Sequence, residues 1–203
     1  MQKPQGYEEA QVMGEYTPVE LGGHYATVLQ VTETQSSTGK DMIVVVFDFD
    51  KNDKQTGLFR TQFDNDDREG KKWPYAGTVY IMVQDYQDAS KTSRSFKTFC
   101  TAIERSNNYA ITWGGNEWAK QFKSKKVGVV YGEVETEYNG EVKMRRNPRW
   151  FCPYDKVADA KVPNPKYLNG SGPAASSRGS APAQASPDGF LNVPEGADDE
   201  IPF

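Results

Sequence analysis

The amino-acid sequence predicts a mainly β fold with inserted helices, a β-barrel-like domain that is followed by a disordered C-terminal tail. The prediction rests on alternating strand patterns, an Asn-Gly hairpin signal near residue 139, and a change of composition near residue 153. All four Trp and all five Met precede residue 153, whereas Pro, Ala, Ser and Gly dominate after it. A segment of that kind buries too little apolar surface to offset its ordering entropy. We therefore predict a folded domain over 1–152, a flexible linker over 153–194 and a short tip over 195–203.

The first half of the domain is predicted to consist of strands. Residues 22–34 alternate between apolar and polar side chains, and residues 41–50 are apolar on both faces, as in a central strand. After the turn segment KNDKQTG, residues 58–63 (LFRTQF) are predicted to form a third strand. A polar loop then leads to a further short strand at residues 78–83 (TVYIMV).

The second half adds two helices and a closing hairpin. Apolar residues recur at spacings of three and four across residues 93–107, and a second, shorter helix is predicted at 116–126. The Asn-Gly pair within residues 138–141 favours a hairpin between the last two strands. Strands, a helix and a closing hairpin in this order are typical of the OB fold, whose helix lies between the third and fourth strands. A small β-sandwich would accept these strands but does not require that helix.

Composition and motif content exclude several protein classes. No apolar run approaches the ~20 residues of a membrane helix, and no apolar signal segment opens the chain, so we expect a cytoplasmic protein without a membrane partner. Two cysteines and one histidine are too few for a structural zinc site, and we predict neither metal nor cofactor. His24, the only histidine, lies in a predicted strand and is interpreted as structural.

The net charge of −4 lies mostly in the C-terminal part of the chain. Residues 153–203 carry four basic and seven acidic side chains, out of 24 and 28 in the whole chain. The pI of about 5.2 therefore reflects the tail more than the domain. A basic groove on the domain is compatible with this overall acidity, because local charge rather than net charge attracts a ligand.

Single-stranded nucleic acid is bound by cations along its backbone and by aromatic faces under its bases. Both residue types interleave in three stretches, 68–77, 118–126 and 143–151. The candidate contacts are Lys71, Lys72, Trp73, Tyr75, Lys123, Lys125, Lys126, Arg145, Arg146, Arg149 and Trp150.

Not every aromatic residue near these cations is expected to face solvent. Trp73 and Tyr75 lie on a polar loop and are predicted to be exposed. On the last strand, period-two alternation predicts that Arg145 and Arg149 share one face and that Arg146 and Trp150 share the other. The aromatic residues expected in the core are Tyr25, Phe47, Phe49, Trp118 and Phe122.

The last six residues, DDEIPF, place three acids before an apolar end. Phe203 offers a ring and the α-carboxylate together, which an apolar pocket with a basic rim can hold, and Pro202 limits the freedom lost on docking. This ending, after a linker rich in Gly, Pro and Ser, closely resembles the tip of bacterial single-stranded DNA-binding proteins. The resemblance implies that replication, recombination and repair proteins dock on Asp198, Asp199, Glu200, Ile201, Pro202 and Phe203. A merely solubilising acidic end would leave Ile201 and Phe203 unexplained.

The N-terminal strands carry a second resemblance. Residues 22–49, GGHYATVLQVTETQSSTGKDMIVVVFDF, are similar to the opening of phage-encoded OB-like proteins of replication and recombination. The two resemblances imply a phage-type single-stranded DNA-binding protein that acts in the bacterial host cytoplasm, as a monomer or a homo-oligomer. The insertion at 64–77 and the helices near 93–126 depart from the compact bacterial domain, so its DNA contacts are not transferred to this chain.

Two other function classes are weighed against this one. A metal-dependent nuclease would use acids such as Asp48 with Asp50, or the Glu141-Val-Lys143 spacing, to hold Mg²⁺. A second acidic group that could hold Mg²⁺ lies in a polar loop and comprises Asp64, Asp66 and Asp67. A pure adaptor would use the tip without binding nucleic acid. No nucleophile-elbow, Walker or zinc-protease motif is present, and the preferred prediction is a non-enzymatic binding protein.

Overall fold

A computed structural model shows five antiparallel strands in one sheet, in the order β3-β2-β1-β4-β5. It describes residues 3–5, 7, 17–115, 117–138 and 140–168. The strands are β1 (Gly22–Gln35), β2 (Asp41–Phe49), β3 (Thr78–Met82), β4 (Lys126–Tyr138) and β5 (Glu141–Cys152). The mainly β prediction is confirmed, and the strand order is consistent with an OB-like sheet whose outer strands are β3 and β5.

The central strand β2 is buried on both faces, as its continuous apolar run predicts. Alternate residues of β2 contribute to two apolar clusters on opposite sides of the sheet. The larger cluster includes Ile43, Val45 and Phe47, and the smaller one includes Val44 and Val46. The sheet therefore has a second apolar face, which matters for the site below.

Residues 58–63, predicted as a strand, form part of the helix α1 (Leu58–Asp64) instead. The carboxylate of Asp48 accepts hydrogen bonds from the backbone N–H groups of Phe59 and Arg60, at 3.1 Å each. These bonds satisfy N–H groups that the first turn of a helix leaves without partners. The apolar pattern of these six residues fits both the strand period of two and the helix period of 3.6. The hydrogen bonds from Asp48 stabilise the helix.

The predicted helix near residues 93–107 is confirmed as α2 (Arg94–Asn107). The hydroxyl of Ser93 caps it by accepting a hydrogen bond from the backbone N–H of Phe96 at 3.1 Å. The second predicted helix is only a short 3-10 helix, Trp118–Phe122. It ends there because Ser124 and Lys125 exchange backbone hydrogen bonds with Val28 of β1. Trp118 and Phe122 are buried, as predicted.

The chain after β5 packs on the sheet and does not leave it at residue 153. Residues 157–166, here called the strap, cross the backbone of β1 and β4 over glycines. A Cβ atom at Gly23 would lie 2.3 Å from the carbonyl oxygen of Val157, and one at Gly132 would lie 2.4 Å from Cγ of Pro163. The folded part of the chain thus extends beyond the predicted boundary at residue 152.

The rest of the predicted linker, 169–194, and the tip, 195–203, lie outside the described residues. Within the described ranges, no helix combines the length and the apolar character needed to cross a bilayer.

Candidate nucleic-acid interface

A groove of about 410 Å³ lies on the sheet face that carries the smaller apolar cluster. Its floor comes from β1, β2 and β3, and its wall comes from the loop that precedes β3. The floor residues are Gln30, Thr32, Val44, Val46, Thr78 and Tyr80. The wall residues are Arg68, Glu69, Gly70, Lys71, Lys72, Trp73, Pro74 and Tyr75. Four predicted site residues, Lys71, Lys72, Trp73 and Tyr75, therefore line one groove.

Register explains why these floor residues share a face. Thr32 pairs with Val44, and Val44 pairs with Tyr80 across the three strands. Directly opposed residues project to the same side of an antiparallel sheet. Trp73 and Tyr75 pack against the edge of the resulting apolar cluster. The aromatic wall is thus anchored on regular structure, although the loop that carries it is irregular.

Trp73 is half-buried, so the prediction that it is exposed is wrong. Its indole N–H donates a hydrogen bond to the carbonyl of Phe47 at 3.2 Å. The guanidinium of Arg60 lies 5.1 Å from its ring centroid, and a Cβ atom at Gly77 would lie only 2.6 Å from the indole nitrogen. Trp73 therefore supports the groove wall and presents only part of its ring to the groove. Tyr75 is also half-buried.

The cations of the wall extend towards solvent. The side chain of Arg68 is 84% exposed, and it binds Asp66 through Nη2 at 2.7 Å and Nε at 2.9 Å. These hydrogen bonds from Arg68 lower the pKa of Asp66 to about 2 and raise the pKa of the guanidinium. Lys72 is exposed, and Nζ of Lys71 lies 4.7 Å from the ring centroid of Phe63. The groove wall thus carries three cations, Arg68, Lys71 and Lys72, against one acid, Glu69.

A second pocket, of about 570 Å³, adjoins the groove and shares Pro74 and Tyr75 with it. Residues 144–147 of β5 line its far side, so the structure brings Arg145 and Arg146 close to the groove wall. Arg146 donates a hydrogen bond from Nη1 to the carbonyl of Val19 at 2.8 Å. This bond fixes the segment before β1 against β5.

A bulge in β5 overturns the predicted distribution of its basic residues. Val130 pairs with Trp150, whereas the next residue, Tyr131, pairs with Pro148, so Arg149 is the extra residue. Arg145 and Trp150 consequently share one face, and Arg146 lies on the other. Arg149 donates a hydrogen bond from Nη1 to the carbonyl of Asn164 at 3.1 Å. Arg149 thus holds the strap.

The third predicted group, Lys123, Lys125 and Lys126, lies apart from the groove. Among the described residues that line the groove and the second pocket, none of these three lysines appears. Lys126 pairs with Thr27 on β1, three residues from the groove residue Gln30. Nζ of Lys125 lies 3.8 Å from the ring centroid of Tyr109. Nζ of Lys126 lies 5.2 Å from the ring centroid of Tyr154, so these lysines do not join the groove that their sequence pattern predicted.

The candidate contacts do not include Tyr80, Gln30 or Thr32, and they omit Arg68 although it lies in the predicted stretch 68–77. The sequence presents Tyr80 only as part of an apolar strand, and Tyr80 is 9% exposed. Alternation along each strand could have placed these residues on faces, but only the register shows which faces coincide.

The acids considered for a nuclease have other partners. Asp48 binds the start of α1, and Asp50 accepts a hydrogen bond from the hydroxyl of Tyr154. Burial raises the pKa of Asp48, although hydrogen bonds from three backbone N–H groups oppose the shift. Glu141 forms an exposed ion pair with Lys143. Within the described part of the chain, no group of three or more His, Cys, Asp or Glu side chains is placed to hold a metal ion together.

No family model matches the chain, and a search of curated proteins finds no match.

Proposed function

We propose that the protein binds single-stranded DNA without catalysing a reaction, coats and protects it in the cytoplasm, and recruits replication, recombination and repair proteins through its C-terminal tip. One observation carries the binding proposal: aromatic and cationic side chains line the same groove on the sheet. They are Trp73, Tyr75 and Tyr80 with Arg68, Lys71 and Lys72.

This combination suits single strands better than duplex DNA. Unpaired bases can stack on aromatic faces, whereas the bases of a duplex are already stacked on one another. The cations attract phosphates of any sequence, so binding is expected to be tolerant of sequence and sensitive to salt. The second pocket, with Arg145 and Arg146, continues the positive surface beyond Tyr75 and suggests the direction in which a longer strand would extend.

The role of the tip, and the preference for DNA over RNA, rest on the resemblance of the chain end and the first strands to phage and bacterial proteins. The tip residues, from Asp198 to Phe203, lie outside the described residues. The two alternatives predict different behaviour: a nuclease would cleave DNA in the presence of Mg²⁺, and an adaptor would bind tip partners but no nucleic acid.

The proposal is tested by titrating the full chain with labelled oligo-dT, oligo-rU and duplex DNA at two salt concentrations, with and without Mg²⁺. We expect intact oligo-dT to bind more tightly than the duplex, and the affinity to fall as salt rises. Cleavage of the probe would support the nuclease, and absence of binding to every probe would support the adaptor.

A charge-reversal pair then tests the groove itself. Lys71→Glu with Lys72→Glu should weaken oligo-dT binding and reduce the salt slope by about 2, because two phosphate contacts are lost. Lys51→Glu with Lys161→Glu is the matched control, since both lysines are exposed and neither lines the groove. Equal losses in the two double variants would mean that net charge, and not the groove, controls binding.

A further inference from the structure

A larger cleft, of about 830 Å³, opens on the opposite side of the β1–β2 ladder from the groove. Ile43 lines this cleft and belongs to the larger core cluster, whereas its neighbour Val44 faces the groove. Successive residues of a strand point to opposite faces of the sheet. Helix α2, residues 113–115 and Trp118 form the other walls. A ligand in this cleft would not compete with one in the groove.

We propose that this cleft binds a partner protein through a peptide segment that carries an arginine or lysine side chain next to apolar residues. The inference does not depend on the groove binding DNA. It rests on an exposed tryptophan that stacks on buried rings, an acidic rim, and a buried hydrogen-bond donor without a partner in the described part of the chain, and all three belong to residues that line the cleft.

The aromatic stack begins with Trp113, whose side chain remains unusually accessible for a tryptophan. Trp113 is 63% exposed, and its ring stacks on Trp118 with a centroid distance of 5.8 Å and an interplanar angle of 26°. Phe96 lies 6.0 Å from Trp118, and both of these rings are buried, so Trp113 is the accessible ring of the stack. The outer face of an indole ring is the strongest cation–π acceptor among the side chains.

The rim of the cleft is acidic. Glu33, Asp41 and Glu104 line it, against one basic residue, Lys97. Carboxylates beside an aromatic face favour a cationic ligand, since both attract positive charge. The same carboxylates repel a phosphate backbone, and they repel the acidic tip of this chain as well. The charge of the cleft therefore selects against DNA and in favour of a basic peptide.

Trp118, which lines the cleft, carries a buried hydrogen-bond donor. Trp118 is 7% exposed, and its indole N–H has no hydrogen-bond partner among the described residues. A buried donor without a partner destabilises the protein, and a ligand that offers an acceptor would remove that penalty. A peptide supplies backbone carbonyls as well as a cationic side chain, whereas a simple amine supplies only the cation.

The test uses the full chain and a fluorescein-labelled octapeptide that alternates Arg and Leu, beside an octapeptide in which citrulline replaces each Arg. Citrulline keeps the shape of arginine without its charge. We expect the Arg peptide to bind about tenfold more tightly than its citrulline counterpart, as a partly desolvated cation–π contact implies. Trp113→Ala and Glu33→Gln should each reduce that ratio, and Trp113→Phe should retain most of it.

Tyr86→Ala is the matched control, because Tyr86 is 78% exposed and does not line the cleft. An unchanged preference for the Arg peptide in Trp113→Ala would overturn the proposal and assign the binding to the acidic tail. Equal binding of the two peptides to the wild type would also overturn it. Oligo-dT binding, measured on the same variants, should not change. Failure of the wild type to bind oligo-dT would instead count against the proposed function and leave the peptide result valid.

Discussion

At the scale of single residues, His24 and Asp53 form a buried polar contact that joins several parts of the domain. Nδ1 of His24 lies 3.0 Å from a carboxylate oxygen of Asp53, and Nε2 lies 2.9 Å from the carbonyl oxygen of Glu20. Asp53 also accepts hydrogen bonds from the backbone N–H groups of Tyr25 and Gln55, at 2.8 Å each. The pair joins the start of β1 to the turn after β2, which agrees with the structural interpretation of His24.

We predict that Asp53→Ala destabilises the domain by about 3 kcal/mol at neutral pH, because it leaves buried donors without an acceptor. Burial acts to raise the pKa of Asp53, but hydrogen bonds from His24, Gln55 and Tyr25 outweigh it and lower the pKa below 3.8. A carboxylate with a lowered pKa stabilises the fold above its unfolded pKa, and this contribution is lost as the pH falls through its folded pKa.

Urea unfolding of the wild type and Asp53→Ala, at steps from about pH 5 to about pH 2, measures this effect. The difference in the free energy of unfolding should narrow as the pH falls through this range. A difference that stays constant with pH would show that the carboxylate charge contributes nothing and that only shape is lost.

Trp73 is predicted to have a structural role and a binding role, which two substitutions separate. Trp73→Phe keeps a ring but loses the hydrogen bond to Phe47, so it should cost about 1 kcal/mol of stability and little DNA affinity. Trp73→Ala should cost about 3 kcal/mol of stability and about 1–3 kcal/mol of oligo-dT binding.

Thermal melts and oligo-dT titrations measure both quantities for each variant. Tyr154→Ala is the control, since Tyr154 is half-buried, does not line the groove and is not among the candidate contacts. If Trp73→Ala melts at a lower temperature than the wild type but binds oligo-dT with the same affinity, Trp73 only stabilises the groove wall and does not contact DNA.

At the scale of elements, the strap behaves as part of the domain. Val157 and Val130 are 4% and 0% exposed, and Lys166 exchanges backbone hydrogen bonds with Glu133 and Glu135 of β4. We predict that a chain ending at residue 168 melts at the same temperature as the full chain. A chain ending at residue 152 should melt at a lower temperature, because apolar surface and the strap contacts are lost.

Gly132→Val tests the same packing within the full chain. The new side chain would overlap Pro163 and should cost about 1–3 kcal/mol, as overpacking does. Thr136→Val on the same strand is the control and should stay within about 0.5 kcal/mol of the wild type. Equal melting temperatures for the two variants would mean that the strap does not rest on Gly132.

At the scale of the whole molecule, the groove wall and the C-terminal tip carry charges of opposite sign. The groove wall carries Arg68, Lys71 and Lys72, whereas residues 195–203 contain four acids and the terminal carboxylate. The composition of residues 169–203 predicts a flexible chain, and about 35 residues of that kind have a root-mean-square span of roughly 30 Å. Under the proposed function, we therefore expect the tip to compete with DNA at a high effective concentration.

We predict that deleting residues 195–203 strengthens oligo-dT binding modestly, most clearly at low salt, where charges are least screened. Phe203→Ala keeps every acid and should leave DNA affinity nearly unchanged, while it loses the partner proteins that dock on the tip. Oligo-dT titration and pull-down from bacterial cell lysate measure the two effects. If Phe203→Ala retains the same lysate proteins as the wild type, the tip is only a solubilising end.

The sequence by itself determined the mainly β class, the closing hairpin, helix α2 and the burial of Phe47, Phe49, Trp118 and Phe122. These features depend on local periodicity, turn residues and helix caps, all of which involve residues that are close together in the sequence. It also identified the cationic and aromatic loop from Lys71 to Tyr75, because its composition is local too.

Only the tertiary structure decided the helical state of residues 58–63, the faces of the basic residues in β5 and the position of the strap. Each depends on a partner distant in sequence: Asp48 for α1, the register with β4 for Arg149, and the glycine surface of Gly23 and Gly132 for residues 157–166. Tyr80 joined the groove for the same reason, since an apolar strand residue shows its face only once its neighbours are paired. Pairings of this kind arise when the chain closes on itself, and no short stretch of sequence contains them.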